Sequence, residues 1–173
     1  MKRVAYYKGC LASLSAKELD ISTQALAPRL GLELDELESV TCCGAGDIHE
    51  AEPDYYLHLN ARILAYAEKT GSDTLMTICN VCTLNLRQAN WQLKNDPALR
   101  ERVNANLEAV GAPRYERDVE VKHFLWLISE GEGYEHPEAR PAGLEPAPGE
   151  TGERDRAHRD GDRDPGARGG RTR

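Results

Sequence analysis

The chain has 173 residues and a net charge of −7, with a sequence pI near 5.3. This length suffices for one domain with a hydrophobic core, and the acidic balance argues against nucleic acid as a main partner. The sequence has no apolar run long enough to span a membrane and no apolar segment of signal-peptide length near its start. We therefore expect a cytoplasmic protein without a direct membrane span.

The first 131 residues alternate between strand-like and helix-like patterns. The predicted strands cover residues 3–7, 37–41, 74–78 and 119–122. The predicted helices cover residues 12–30, 54–69, 81–111 with an interruption at Asp96-Pro97, and 123–129. Repeated strand, crossover helix and strand order is typical of an α/β fold with a mainly parallel sheet.

The composition changes sharply near Gly131. From Pro137 to Arg173 the only large apolar side chain is Leu144, and eight Arg accompany eight Asp or Glu. Such a segment cannot bury enough apolar surface to offset its conformational entropy. We therefore predict a folded domain at 1–131 and a disordered tail at 132–173. Because Lys and the aliphatic residues vanish together, a shifted reading frame is favoured over a genuine flexible tail.

Five cysteines form one ordered pattern: Cys10, then Cys42-Cys43 followed by Gly44, then Cys79-Asn80-Val81-Cys82. The odd count argues against a closed disulfide framework, and adjacent cysteines rarely bridge each other. Such a set of thiolates suits a soft metal centre, an iron–sulfur cluster before anything else. An ordinary cubane cluster uses four cysteines, so five imply a spare thiolate or a cluster of another kind.

The cysteine groups are expected to converge because each follows closely after a predicted strand. The carboxyl ends of parallel strands meet at one edge of a sheet. Cys82 lies one helical turn past Cys79, so both thiolates can face the same point at a helix start. Three glycines can let the backbone approach a bulky cofactor and donate hydrogen bonds to sulfur. These are Gly9, Gly44 and Gly46.

Two other interpretations of the cysteines stay open. Structural zinc needs only four ligands, usually in two closely spaced pairs, and Cys79–Cys82 is the one such pair here. The same pair, between a strand and a helix, also suits a thioredoxin-like dithiol. The three further cysteines argue against that alternative.

The whole pattern resembles the CCG (cysteine-rich) domain of the heterodisulfide reductase B subunit, specifically its first repeat. Tyr-Tyr-Lys-Gly-Cys at 6–10 and His-Phe-Leu at 123–125 add to a resemblance that covers roughly residues 1–130. The resemblance implies that all five cysteines hold a noncubane [4Fe-4S] cluster, with one of them bridging two irons. It also implies a disulfide substrate, and as partners a ferredoxin-like iron–sulfur subunit, the C type of heterodisulfide reductase, and a flavoprotein subunit.

The chain departs from that family in one respect, because the B subunit carries two CCG repeats and this chain has one. Related repeats also occur in succinate, lactate and glycolate oxidising systems. The alternative function is therefore a non-catalytic electron-transfer subunit of a dehydrogenase-type complex, peripheral to a membrane.

Polar side chains near the cysteines have commoner roles than cofactor chemistry. His49 and His58 could act as donors or proton carriers but are expected on the surface. His123 lies in an apolar segment and is expected to be a satisfied core residue. Asn80 and Asn85 could hydrogen-bond cluster sulfur, with a helix cap or a solvated side chain as the equal alternative.

Overall fold

The computed structural model describes residues 1–132, in which four parallel strands form one sheet. The strands are β1 (Lys2–Tyr7), β2 (Leu32–Glu36), β3 (Thr74–Thr77) and β4 (Glu120–His123). The α-helices are α1 (Gly9–Leu14), α2 (Lys17–Leu26), α3 (Asp47–Ala51), α4 (Pro53–Lys69), α5 (Asn80–Asn95), α6 (Pro97–Ala109) and α7 (Phe124–Leu127). A 3-10 turn at Ala27–Leu30 and a π-helical turn at Ile128–Glu132 complete the described chain.

The strand order is β2-β1-β3-β4, and every neighbouring pair is parallel. Tyr7 pairs with Thr77, and Thr77 pairs with His123, so the carboxyl ends of three strands are level with one another. The predicted α/β class with a parallel sheet is therefore confirmed. Each crossover returns the chain to the same end of the sheet, which is what brings distant segments together there.

Both faces of the central strand β1 are buried, as in a sheet covered by helices on each side. Ala5 and Tyr7 pack into the core formed largely by α4, α5 and α6. Val4 and Tyr6 point into a second core, completed by side chains from the 3-10 turn and α7. Burial on both faces explains why residues 4–7 of this strand form a continuous apolar run.

The strand predicted at 37–41 is wrong, because β2 lies at residues 32–36 instead. Gly31 has a φ of 72° and ends the preceding 3-10 turn, so the strand starts immediately after it. β2 is an edge strand in which leucine alternates with acidic residues, so its sequence lacks the apolar run from which β1 and β3 were predicted. Leu37 and Val40 pack against the core from a turn that follows the strand.

The helix predicted at 12–30 is also wrong as a single element. It is divided into α1, α2 and a 3-10 turn that carries Pro28, a residue disfavoured in a helix interior. The predicted break at Asp96-Pro97 is confirmed, because the Asp96 side chain accepts a hydrogen bond from Leu99 N at 2.9 Å and caps α6. The short α3 was not predicted.

The tail predicted at 132–173 lies, apart from its first residue, outside the described residues. Within residues 1–132, no helix is both long and apolar enough to cross a membrane.

Candidate metal centre

The carboxyl edge of the sheet positions every cysteine of the pattern. Cys10 lies in the first turn of α1, directly after β1, and Cys42-Cys43 lie in the segment that follows β2. Cys79 is the N-cap of α5, directly after β3, and Cys82 lies in the first turn of that helix. Since β1 is paired with both β2 and β3, the three cysteine groups meet at this edge.

The structure brings the five thiols into one connected group. The Sγ atoms of Cys10 and Cys42 are 3.5 Å apart, and those of Cys43 and Cys82 are also 3.5 Å apart. The pKa of Cys43 responds to its sequence neighbour Cys42, and that of Cys82 responds to Cys79. All five cysteines are free thiols. The predicted convergence is therefore present in the geometry, while metal binding stays a prediction.

The group runs from the protein interior to the surface. Cys43 is 1% exposed and Cys82 is similarly buried, whereas Cys42 and Cys79 are half-buried and Cys10 is exposed. A cavity of about 440 Å³ adjoins the exposed end. It is lined by Cys10 and Cys42 together with residues of the loops after β1 and β2. The centre is thus anchored at one side and accessible at the other.

N–H groups point at two of the thiol sulfurs. Asn85 Nδ2 donates to Cys43 Sγ at 3.4 Å, and Gly44 N donates to Cys42 Sγ at 3.4 Å. The Tyr7 hydroxyl donates to the carbonyl oxygen of Thr41 at 2.9 Å and so fixes the chain just before Cys42. Such donors stabilise negative charge on thiolate sulfur.

The thiols perturb one another. The contact with the Cys82 thiol, which can donate to a thiolate, is the main cause that lowers the pKa of Cys43 to about 6. The same contact, together with burial, raises the pKa of Cys82. Burial raises the pKa of Cys42, and burial followed by the nearby thiolates raises that of Tyr7. Within this group the thiolate form is therefore favoured at Cys43, beside Cys42 and Cys82, whose pKa values are raised.

The predicted glycines differ in what they provide. A Cβ atom on Gly9 would lie 3.2 Å from Cys82 Sγ, and a Cβ atom on Gly44 would lie 3.0 Å from Leu59 Cδ1. Both glycines have a positive φ, 77° and 74° respectively. Gly46 has a φ of 83° at the start of α3, with open space where a side chain would be. Close approach to sulfur is thus evident at Gly9, and Gly46 supplies a turn.

Replacing Gly9 by alanine is expected to destabilise the fold by about 1–2 kcal/mol, because the left-handed backbone conformation penalises a side chain. The added methyl group would also displace Cys82 Sγ, so less iron should be retained after reconstitution. Chemical denaturation and iron analysis measure the two effects. Gly111 has a φ of 72°, and a Cβ atom added there would have no neighbour within 4 Å. Gly111→Ala is therefore the control for backbone strain alone. Equal iron retention in the two variants would contradict the contact at Cys82.

Sequence reasoning missed two side chains beside Cys43. Asn60 is fully buried, and its Nδ2 donates to the carbonyl oxygens of Cys43 at 2.8 Å and Tyr56 at 2.9 Å. The Tyr56 hydroxyl is buried and has no hydrogen-bond partner within residues 1–132. Burial, and then the charge of Cys43, raises the pKa of Tyr56 to about 12. A buried amide in the apolar stripe of α4 was the available signal.

The histidines and asparagines considered earlier have distinct places. His49 is exposed and its ring stacks on Tyr56 at 4.1 Å, while half-buried His58 shares a hydrogen bond with Asn106 at 2.9 Å. His123 is buried and accepts a hydrogen bond from Leu125 N, as expected for a satisfied core residue. Asn80 is exposed, and Asn85 is the residue that contacts sulfur.

The donor set fits an iron–sulfur cluster better than a single ion. Within residues 1–132, no three Cys, His, Asp or Glu side chains are placed to bind one metal ion together. A zinc site needs four ligands around one point. The thiol sulfurs approach each other in pairs instead, Cys10 with Cys42 and Cys43 with Cys82, and the partnerless hydroxyl of Tyr56 offers a further donor beside Cys43. This arrangement suits a centre with several metal atoms and sulfide ions.

Comparison with known proteins places these observations in a family. Residues 4–87 match the cysteine-rich domain family CCG. The chain is 36% identical over 129 residues to the 8-methylmenaquinol:fumarate reductase membrane anchor subunit of Wolinella succinogenes, covering 75% of this chain and 44% of the relative. It is 31% identical over 136 residues to a protein of Archaeoglobus profundus that is named as similar to the heterodisulfide reductase B subunit, covering 78% and 45%.

A third relative is the B subunit of the ferredoxin/F(420)H(2)-dependent CoB-CoM heterodisulfide reductase of Methanosarcina acetivorans, 26% identical over 74% of this chain and 42% of the relative. The chain thus spans less than half the length of these curated relatives. A crystal structure of a hypothetical protein from Helicobacter pylori shares the fold, with a TM-score of 0.65 and 22% identity over 75% of this chain and 25% of that one. The relatives with named functions are subunits of oxidoreductases, and residues 4–87 of this chain form a domain of the CCG cysteine-rich domain family, as the cysteine pattern predicts.

Proposed function

We propose that the chain is an iron–sulfur electron-transfer subunit whose five cysteines hold a [4Fe-4S] cluster of the noncubane type. The observation that carries the proposal is the continuous group of five free thiols at the carboxyl edge of the sheet. A bound cluster would supply one-electron redox chemistry at that edge. The proposed ligands are Cys10, Cys42, Cys43, Cys79 and Cys82.

The protein's own contribution is to hold the thiols in place, to limit access of other molecules to the centre and to stabilise the charge on the sulfur atoms. Cys43 and Cys82 are buried and fix the inner side of the centre. Cys10 and Cys42 line the cavity of about 440 Å³, which gives a substrate or a redox partner access to the outer side. Electron transfer or substrate reduction would therefore occur near these two outer cysteines.

The donors to sulfur are expected to set the reduction potential. An N–H group that points at a thiolate sulfur stabilises the more negative, reduced state and raises the potential. Asn85 acts on Cys43 in this way, and Gly44 acts on Cys42.

Replacing Asn85 by leucine is expected to lower the midpoint potential by about 20–60 mV, the one-electron equivalent of one lost hydrogen bond. A redox titration of the reconstituted protein, followed by EPR, measures this shift. Asn95→Leu at the exposed end of the same helix is the control, since Asn95 bonds only to its own helix at Trp91 O within the described residues. An unchanged midpoint potential in Asn85→Leu would show that the Asn85 hydrogen bond to Cys43 does not set the potential.

The substrate proposed for this centre is a disulfide. Two relatives are named as the heterodisulfide reductase B subunit or as similar to it, which supports this choice. Reduction of one disulfide takes up two electrons and two protons and releases two thiols. The electrons would come from a ferredoxin-like iron–sulfur subunit that is itself reduced by a flavoprotein subunit.

A second candidate is a non-catalytic electron-transfer subunit of a dehydrogenase- or reductase-type complex, peripheral to a membrane. The likeness to the membrane anchor subunit of a fumarate reductase favours it. The two candidates differ in one measurable product. The reduced, reconstituted chain with its partner subunits releases two thiols per disulfide in the first case. In the second case, no thiol is released while a flavoprotein partner still exchanges electrons with the chain.

A further inference from the structure

A second cavity, of about 590 Å³, adjoins the candidate centre. It lies between α4 and α6 and reaches the segment that precedes α3. Its lining residues are Thr41, Cys42, Ile48, Tyr55, His58, Leu59, Arg62, Asn106, Leu107 and Val110. Its volume is within the range of small-molecule sites. Cys42 lines this cavity and the smaller one at Cys10, so the two meet at one thiol.

The walls of this cavity are apolar and partly uncovered. Val110 is 74% exposed and Tyr55 is 56% exposed, and both line the cavity together with the more buried Leu59 and Leu107. Several exposed apolar side chains around one concavity are a mark of a ligand or partner site. A ligand with an apolar body would cover them.

Arg62 is the cation of this cavity, and it has no carboxylate partner in the part of the chain that the structure describes. It makes no ion pair or hydrogen bond within residues 1–132, and its guanidinium lies over the Tyr66 ring at 5.1 Å from the ring centre. No Asp or Glu among residues 1–132 lines the cavity. Arg114, in contrast, is paired with three glutamates. A half-buried arginine at the wall of an apolar cavity, without a carboxylate partner among residues 1–132, is suited to bind a carboxylate.

Neutral polar groups join the two helices at the cavity. His58 Nδ1 donates to the carbonyl oxygen of Asp54 at 2.6 Å, so Nε2 accepts from Asn106 Nδ2 at 2.9 Å. This arrangement leaves the second amide hydrogen of Asn106 available to a ligand oxygen. The described lining therefore offers a cation and a neutral donor, and no negative side chain.

We infer that this cavity binds a small organic monocarboxylate with an apolar chain. The carboxylate pairs with Arg62, and the chain packs against Leu59 and Val110. The ligand then lies beside Cys42. Binding itself requires no metal and does not depend on the proposed function.

The probe is octanoate, with octan-1-ol as its neutral counterpart, titrated calorimetrically into the reconstituted full chain. Octanoate is expected to bind at least about 10-fold more tightly than octanol. Arg62→Gln should weaken octanoate about 10- to 100-fold and leave octanol unchanged, because a charge-assisted pair is lost. Arg62→Lys should retain part of the affinity. Arg102→Gln, on α6 but outside the cavity, should change neither ligand.

Val110→Asp is a second variant that acts at an exposed position and so spares the fold. Its carboxylate should repel octanoate more than octanol. Equal affinities for the two probes, no binding at millimolar octanoate, or an unchanged affinity in Arg62→Gln would overturn the inference. Iron content in the same preparations separates the two proposals. Iron without octanoate binding refutes only this inference, and Arg62-dependent binding without iron refutes only the proposed function.

Discussion

Replacement of Cys43 by alanine is expected to abolish iron retention after anaerobic reconstitution, and Cys79→Ala is expected to do the same. Cys43 connects the outer thiols to the inner ones, since it contacts both Cys42 and Cys82. The sequence has no sixth cysteine that could take its place. Iron analysis after removal of unbound metal measures the result.

The control for Cys43→Ala is Val103→Ala, because both substitutions truncate a side chain in the same core. Val103 lies on α6 and contributes no thiol. The valine variant should lose stability through its cavity and still retain iron. Iron content equal to that of the unaltered chain in both cysteine variants would remove the five-thiol centre from this account.

Replacement of Asn60 by alanine is expected to lower the free energy of unfolding by about 2–4 kcal/mol and to release iron. Its amide donates to the buried carbonyl oxygen of Cys43, so truncation leaves that oxygen without this partner and opens a cavity, while the Tyr56 carbonyl keeps its backbone bond within α4. The Asn60 amide also joins the cysteine segment to α4, which keeps the Cys43 thiol in place. Urea unfolding and iron analysis of the same samples measure the two effects.

Asn104→Ala provides the matched control for this variant. Asn104 is also buried, and it bonds the backbone N–H and carbonyl of Tyr115, on a loop that carries no cysteine. Its loss should destabilise the fold by a similar amount and leave iron retention unchanged in the folded protein. If the two asparagine variants retain iron equally well, Asn60 does not position the centre.

The convergence of the cysteines was predictable because two strands with buried apolar residues lead into cysteines. β1 ends at Tyr7 and β3 at Thr77, three and two residues before Cys10 and Cys79, and strand ends of a parallel sheet share an edge. The break at Asp96-Pro97 was equally clear, since both residue types favour a helix start. In these places local preference and the tertiary fold agree.

The position of β2 could not be predicted because it is an edge strand in which acidic residues alternate with the buried Leu32 and the half-buried Leu34. The pattern at 37–41 is more apolar, yet Leu37 and Val40 reach the core from a turn. A turn whose apolar side chains are buried by tertiary contacts has the same apolar sequence pattern as a buried strand.

The role of Asn60 and the cavity at Arg62 depend on contacts between remote segments. Asn60 looks like a polar interruption of an amphipathic helix until the Cys43 carbonyl is placed beside it. The cavity requires α6 to lie alongside α4, although more than 40 residues separate Arg62 from Asn106. Helix periodicity specifies which face is apolar but not which helix covers it.

The central claim is that five thiols hold one polynuclear iron–sulfur centre. Anaerobic reconstitution of the full chain, followed by iron and acid-labile sulfide analysis and EPR of the oxidised and reduced forms, tests it most directly. The account predicts about four irons and four sulfides per chain, with an EPR signal unlike that of a plain cubane cluster. A colourless protein that binds one zinc ion or no metal would contradict it.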